Sequence, residues 1–345
     1  MNMKWDTIHA LEQLCRAAGV GGMMEASETA AKLLRPYVDE LRIDVLGNVI
    51  GIKQCGKPDA PKLMLEAHID EIGMIVTGYD EAGFVKVSNC GGIDARVVTA
   101  TEVTVWGKRP LTGVFCSTPP HLSEGEKEIS ALTDMGVDVG LDVQSLKEQI
   151  PLGSRVSFVP HFYRVGADKV SCKALDDRAG VAAVLYAAQL LAEQELSVDM
   201  VYCFAVQEEV GSKGSKTAAF GVSPEMAIAV DVSFAHTPDA ERARCGDMGR
   251  GPMIGWSPCL DLKLTQVLKQ LAEEHHIDYQ VEVMGGSTGT DADAIMSSKT
   301  GVRTGLLSIP LKFMHTPVEM IQLQDLENTG RLMALFAENI EMAEQ

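Results

Sequence analysis

Long apolar runs are missing from this 345-residue sequence. No stretch approaches the roughly 18 residues needed to cross a bilayer as a helix, so no membrane contact is expected. A surplus of basic residues is missing too: 30 lysines and arginines stand against 48 aspartates and glutamates, for a formal net charge of −18. Nucleic acid is thereby excluded as a partner, because phosphate contacts require clustered cations. The acidity reads as a solubility feature, without marking a particular partner. Paired cysteines are also lacking. The eight cysteines, at 15, 55, 90, 116, 172, 203, 245 and 259, are scattered with no Cys-x-x-Cys pair. Some stand in apolar runs, as Cys203 does in "VYCFAV", where a thiol behaves as a small hydrophobe. A disulfide framework is excluded, reduced thiols in the cytoplasm are expected, and cysteine is set aside as nucleophile or metal ligand. The opening "MNMKWDTIHALEQLCRAAG" is an amphipathic pattern broken by charges, so no secretory signal is expected.

What is present points to a globular protein with a large core: 46% of residues are hydrophobic and 23% charged. "WDTIHALEQLCRAAG" and "EASETAAKLLRPYVDEL" carry apolar residues at helical spacing. "LRIDVLGNVIGIK" holds Gly-Asn between two short β-type runs, a hairpin signal, and "PKLMLEAHIDE" begins as a buried strand. From about Ile72 to Val165 the texture changes to short alternating runs broken by glycine turns, the pattern of a small β-rich module. "STPPHLSEGEKEIS" reads as an exposed loop or short helix within it. Longer elements then resume. "LDDRAGVAAVLYAAQLLAEQE" and "LKLTQVLKQLAEEHH" predict helices, "VDMVYCFAV", "EMAIAVDV" and "GVRTGLLSIP" predict buried strands, and a long helix is predicted from Gln324 to Glu344. The expected fold class is α/β: a mixed sheet flanked by helices, formed by residues 1–71 and 166–345, with 72–165 as the insertion.

Polar residues gather where the apolar runs end. His68 and Asp70 follow "LMLEA", Asp176 and Asp177 precede a helix, Glu208 and Glu209 follow "CFAVQ", Asp231 follows "AIAV", and His315 follows "SIPLKFM". In α/β sheets ligands bind at the carboxyl ends of strands, where these groups would converge. Imidazole with carboxylate and no thiolate is the donor mixture of a catalytic zinc or cobalt site. Singly, each has a plainer role: His68 as a hydrogen-bonded structural residue, Asp176 or Asp177 as an N-cap, Asp231 as the end of a strand. His68 and Asp70 are two apart, so on a strand they share a face and the carboxylate can hold the imidazole in one tautomer. Glu208 and Glu209, if on a strand, face opposite sides and serve different ends.

The segments "AHIDEIGMIV", "ALDDRAG", "VQEEVGSKG", "AVDVSFAHTP" and "IPLKFMHTPVEMI", in this order, resemble the cytosolic dinuclear-metal aminopeptidases that form tetrahedral shells. That family includes glutamyl and deblocking aminopeptidases and members labelled endoglucanases. The resemblance covers nearly the whole chain, including "PPHL" and "PLGSRVSFVP" of the insertion. It implies two divalent ions per subunit, zinc first, with cobalt or manganese as alternatives. His68 and Asp231 would hold one ion, Glu209 and His315 the other, and Asp176 would bridge them. Glu208 would be the general base and Asp70 would orient His68. The insertion would be PDZ-like and mediate assembly, dimers building a dodecamer, and short peptides would be the substrates.

Some features depart from the family pattern. "DVSFAHTPDA" lacks a second aspartate soon after the ligand, "GGSTGTDADAI" is longer than the usual turn, and Lys312 stands where arginine is expected. These differences bear on substrate preference. His121 and His236 read as loop or pocket-edge residues, and His275 and His276 as solvated groups at a helix C-terminus. Hydrolysis of another amide or of a polysaccharide is the alternative, but a glycosidase would need two carboxylates and no histidine ligands. A catalytically silent shell-forming protein is a third reading, disfavoured by the presence of Glu208 beside the five ligands.

Overall fold

The computed structural model describes residues 6–117, 121–122 and 131–344. Most of "STPPHLSEGEKEIS" lies outside the described residues, so the expectation for it is untested.

Among the described residues, four parallel strands form the middle of an 11-stranded sheet, ordered Asp199–Ala205, Lys62–His68, Met226–Phe234, Arg303–Lys312. Each is buried along nearly its whole length, as strands covered on both faces must be. The alternation of a strand sorts its side chains. Leu63, Leu65 and Ala67 join the main core under one face, while Met64 joins a second core on the other. Glu66 and His68 keep step with Met64. At one edge the hairpin Glu40–Ile43 and Val49–Lys53 adds two antiparallel strands. Its turn is closed by Asp44, whose Oδ1 accepts from the backbone of Leu46, Gly47 and Asn48 at 2.9, 3.0 and 3.0 Å. At the other edge Glu319–Gln322, Lys169–Cys172 and Tyr163–Val165 follow.

Helices pack where their composition allows. Leu175–Leu190 is rich in alanine and buried almost all round, against the sheet and the helix Leu323–Glu338. The two helices touch so closely that a Cβ at Gly330 would stand 2.8 Å from the Ala183 carbonyl oxygen. The long terminal helix expected to run from Gln324 to Glu344 is instead broken at Asn339, and a short turn resumes at Glu341–Glu344. The Asn339 side chain turns back to donate to the Leu335 carbonyl at 2.9 Å, competing with the helix ladder. Among the described residues no helix is long and apolar enough to cross a membrane.

The β-rich insertion closes into a barrel of its own, in the order Gly73–Tyr79, Val85–Cys90, Val137–Asp138, Pro110–Phe115, Glu102–Trp106, Arg155–Phe158. Inward residues such as Val76, Val87, Val103, Val105 and Phe115 make a separate core. The strand Tyr163–Val165, at the end of the expected insertion, pairs in the large sheet. The barrel leaves the large sheet directly after His68, so it hangs beside the carboxyl end of that strand. A buried ion pair pins this junction: Lys173 Nζ meets Glu71 Oε2 at 2.6 Å, both side chains 2% exposed. Removing one partner of such a pair costs about 3–5 kcal/mol, because the other is left charged and buried.

Candidate metal centre

Most of the proposed side chains lie at or near the carboxyl end of a central strand, and Asp176 joins them from the start of a helix. His68 is the last residue of its strand, and Asp231 lies near the end of Met226–Phe234, in register with Ser308. His315 follows Arg303–Lys312 in a tight turn, with Phe313 and His315 at φ 63° and 60°. Asp176 stands at the start of Leu175–Leu190, its own backbone non-helical. The expected alternation of Glu208 and Glu209 along a strand does not occur. The strand stops at Ala205, Gln207 takes φ 63°, and both glutamates lie in a turn. Asp70 holds that turn, accepting from Glu208 N at 3.0 Å and Glu209 N at 3.3 Å.

Asp176 is shared by the two histidines. Its Oδ1 lies 3.1 Å from His68 Nε2, and its Oδ2 lies 3.3 Å from His315 Nε2. Asp231 Oδ1 is 4.0 Å from His68 Nε2, and Glu209 Oε1 is 3.5 Å from His315 Nε2. Donor atoms of His68, Asp176 and Asp231 all fall within 4.8 Å of one another, as do those of Asp176, Glu209 and His315. A third such group, His68, Glu208 and Glu209, brings Glu208 into the same space. Asp70 Oδ1 faces His68 Nδ1 at 3.6 Å, too far for a full hydrogen bond. Asp177 takes the plainer role that the sequence left open for either aspartate: buried, it accepts from Gly180 N at 2.9 Å and caps the helix.

The acids crowd one another. Burial pushes Glu208 up to about 7. Burial, then the neighbouring Asp176 charge, pushes Glu209 up to about 10. Burial also raises Asp231 well above the usual carboxylate range. At Asp176 burial acts the same way, but hydrogen bonds from His315 and His68 outweigh it and hold the carboxyl low. His68 stays well above an ordinary imidazole because Asp176 and Asp70 overcome the burial that opposes its charge. His315 is raised by its bond to Asp176. All ion pairs of the cluster among the described residues join imidazole to carboxylate. Such a site is short of positive charge, and its mixture of nitrogen and oxygen donors fits divalent cations.

Other contributors escaped the sequence reading. Glu319 accepts from the backbone of both Asp176 and His315. Asn48, fully buried, accepts from Val206 N at 2.9 Å and donates to Gly214 O at 3.1 Å, bracketing the glutamate turn. Gly91 and Gly92 of the barrel module press on the site. A Cβ on Gly91 would stand 3.1 Å from Glu209 Oε2, and one on Gly92 2.9 Å from His315 Nδ1. Glu319 and the Gly-Asn pair were visible as letters within quoted segments, but nothing in their spacing marked what they bind.

A cleft of about 740 Å³ opens over the cluster, with Phe234, Cys245, Gln280, Glu282 and Met314 among its walls. Thr288, Gly289 and Thr290 of the long "GGSTGTDADAI" turn also line it. His121, His275 and His276 are exposed and stand outside its walls. None of the eight cysteines forms a disulfide.

The profile of M42 glutamyl aminopeptidase matches residues 47–332. Lysyl aminopeptidase of Pyrococcus furiosus is 33% identical over 338 residues, covering 96% of each chain. Among solved structures, an aminopeptidase of the archaeon Desulfurococcus kamchatkensis is 33% identical with a TM-score of 0.91, over 98% of this chain and 96% of that one. The Pyrococcus horikoshii TET1 peptidase, able to assemble into a tetrahedron or a large octahedral shell, is 31% identical with a TM-score of 0.85, over 97% of this chain and all of that one. The chain belongs to the M42 glutamyl aminopeptidase family, whose members are metal-dependent aminopeptidases.

Proposed function

We propose that the chain removes N-terminal residues from short peptides at a centre of two divalent ions. His68 and Asp231 hold one ion, Glu209 and His315 the other, and Asp176 spans both. Zinc suits this donor set, with cobalt or manganese as alternatives. The observation that carries the proposal is the placement of Asp176, with one oxygen against each histidine.

When bound, the ions would supply Lewis acidity, acidifying the attacking water and drawing charge from the scissile carbonyl. Glu208 handles the proton. It is half-buried and joins the cluster without being needed as a ligand of either ion. A carboxylate close to the reacting groups but not consumed in coordination can accept a proton and return it to the leaving amine. Asp70 sets the angle of Glu208 through the backbone and faces the free nitrogen of His68. The cleft admits the substrate's terminal side chain.

The proposal extends to organisation. Residues 1–71 and 166–345 form the catalytic unit and 72–165 the assembly unit, apart from the strand Tyr163–Val165, which pairs in the catalytic sheet, and through the assembly unit dimers build a tetrahedral dodecamer in the cytoplasm. The shell formed by the TET1 relative and the eight unpaired thiols support this. The test is to strip the protein with chelator, reload it with zinc, cobalt or manganese, and assay a panel of aminoacyl anilides. Hydrolysis that vanishes on stripping and returns on reloading is expected. Activity indifferent to chelation refutes the metal centre.

A further inference from the structure

Glu319 opens the strand Glu319–Gln322 and is 1% exposed. Its two carboxylate oxygens do different things. Oε2 accepts from the backbone nitrogen of Asp176 at 3.0 Å, and Oε1 accepts from the backbone nitrogen of His315 at 2.9 Å. The two amides belong to segments far apart in the chain, and each carries a side chain of the candidate centre. Neither segment is regular backbone at this point: Asp176 has non-helical angles inside its helix, and His315 has φ 60°. A residue held at positive φ persists only where its surroundings over-determine it.

We infer that Glu319 is a positioning residue that sets the separation of Asp176 and His315, and thereby the affinity for the ion these two share with Glu209. The inference rests on the proposed two-ion centre. His315 belongs to one of the three donor groups, whereas Asp176 belongs to two and is also held through its side chain by His68. Loss of the Glu319 bridge therefore falls unequally. The ion between Asp176, Glu209 and His315 loses a ligand's alignment, while the ion near His68 and Asp231 keeps most of its own.

Glu319→Gln tests this with almost no change of shape. A glutamine accepts through one oxygen only and sets its own N–H₂ against the second backbone N–H. Apo-protein and variant are titrated with zinc in competition with a chromophoric chelator, and their thermal unfolding is compared. Wild type is expected to bind two ions. The variant is expected to keep one within about threefold and weaken the other about 10–100-fold, the usual range for a lost supporting contact. Equal weakening of both ions, or no weakening, overturns the inference. Wild type that binds fewer than two ions overturns the two-ion reading and the inference with it, which distinguishes that failure from the first. If Glu319→Gln does not fold, Glu319→Asp carries the same comparison, since it keeps both acceptors but withdraws them by one methylene.

Discussion

Asp70 accepts a hydrogen bond from the backbone nitrogen of Glu208 at 3.0 Å, and the same carboxylate oxygen faces His68 Nδ1 at 3.6 Å. One side chain thus couples the proposed base to a proposed ligand. Asp70→Asn keeps the size but turns donor atoms toward groups that need an acceptor. A fall of about 10–100-fold in kcat/KM is expected, with apo-protein thermal stability changed far less. Steady-state kinetics beside thermal unfolding decide it, and unchanged kinetics refute the role of Asp70.

Glu208 belongs to the cluster but is left unassigned to either ion, so the proton and the ions can be separated by mutation. Glu208→Gln is expected to lower kcat by about 10²–10⁴-fold while the ion content per chain stays at the wild-type value. Metal analysis on the assayed samples makes the comparison. Undiminished turnover would assign the base elsewhere.

Gly92 brings the barrel module against the centre, and an added Cβ would lie 2.9 Å from His315 Nδ1. Gly92→Ala is expected to move the imidazole and cut kcat/KM by about 10–100-fold, since misplacement of even an ångström is costly in catalysis. Gly92 is exposed, so thermal stability should hold. Activity equal to wild type would mean the loop gives way and does not help to set His315.

Stripped of metal, the protein should lose stability as pH rises. Glu209 is ordinarily 4.5 and is pushed up to about 10 in the fold, so across that interval the folded chain binds more protons than the unfolded one. Stability falls with pH wherever that holds. Raised Glu208, His68 and His315 act in the same direction. Asp176, held low, acts oppositely but only below its ordinary value of 3.8. Added zinc, taking the place of the protons, should flatten the decline. Melting temperatures from pH 5 upward, with and without metal, give the answer, and a stripped protein that grows more stable with pH contradicts the charge balance described.

Much of the fold was legible because burial on two faces writes itself as unbroken apolar runs, as in "MVYCFAV" and "MAIAVDV". The residues ending those runs could be gathered on one principle, the binding of ligands at strand ends. Less could be said where bonds run from a side chain to distant backbone. Glu319 and Asn48 have partners 143 and 158 positions away, and no local pattern signals such a reach. Asp176 and Asp177 looked alike by spacing; a cap on Gly180 separates them in the fold. The glutamate pair misled in its geometry because the strand ended sooner than the apolar letters do. The last helix breaks at Asn339, whose side chain bonds back to the Leu335 carbonyl, although the apolar periodicity runs on.

The shared role of Asp176 is tested most directly by anomalous diffraction from crystals grown with zinc. Two peaks are expected about 3.5–4 Å apart, both bordering Asp176, one beside His68 and Asp231 and the other beside Glu209 and His315. A single peak, or ions that leave Asp176 untouched, would contradict the two-ion centre.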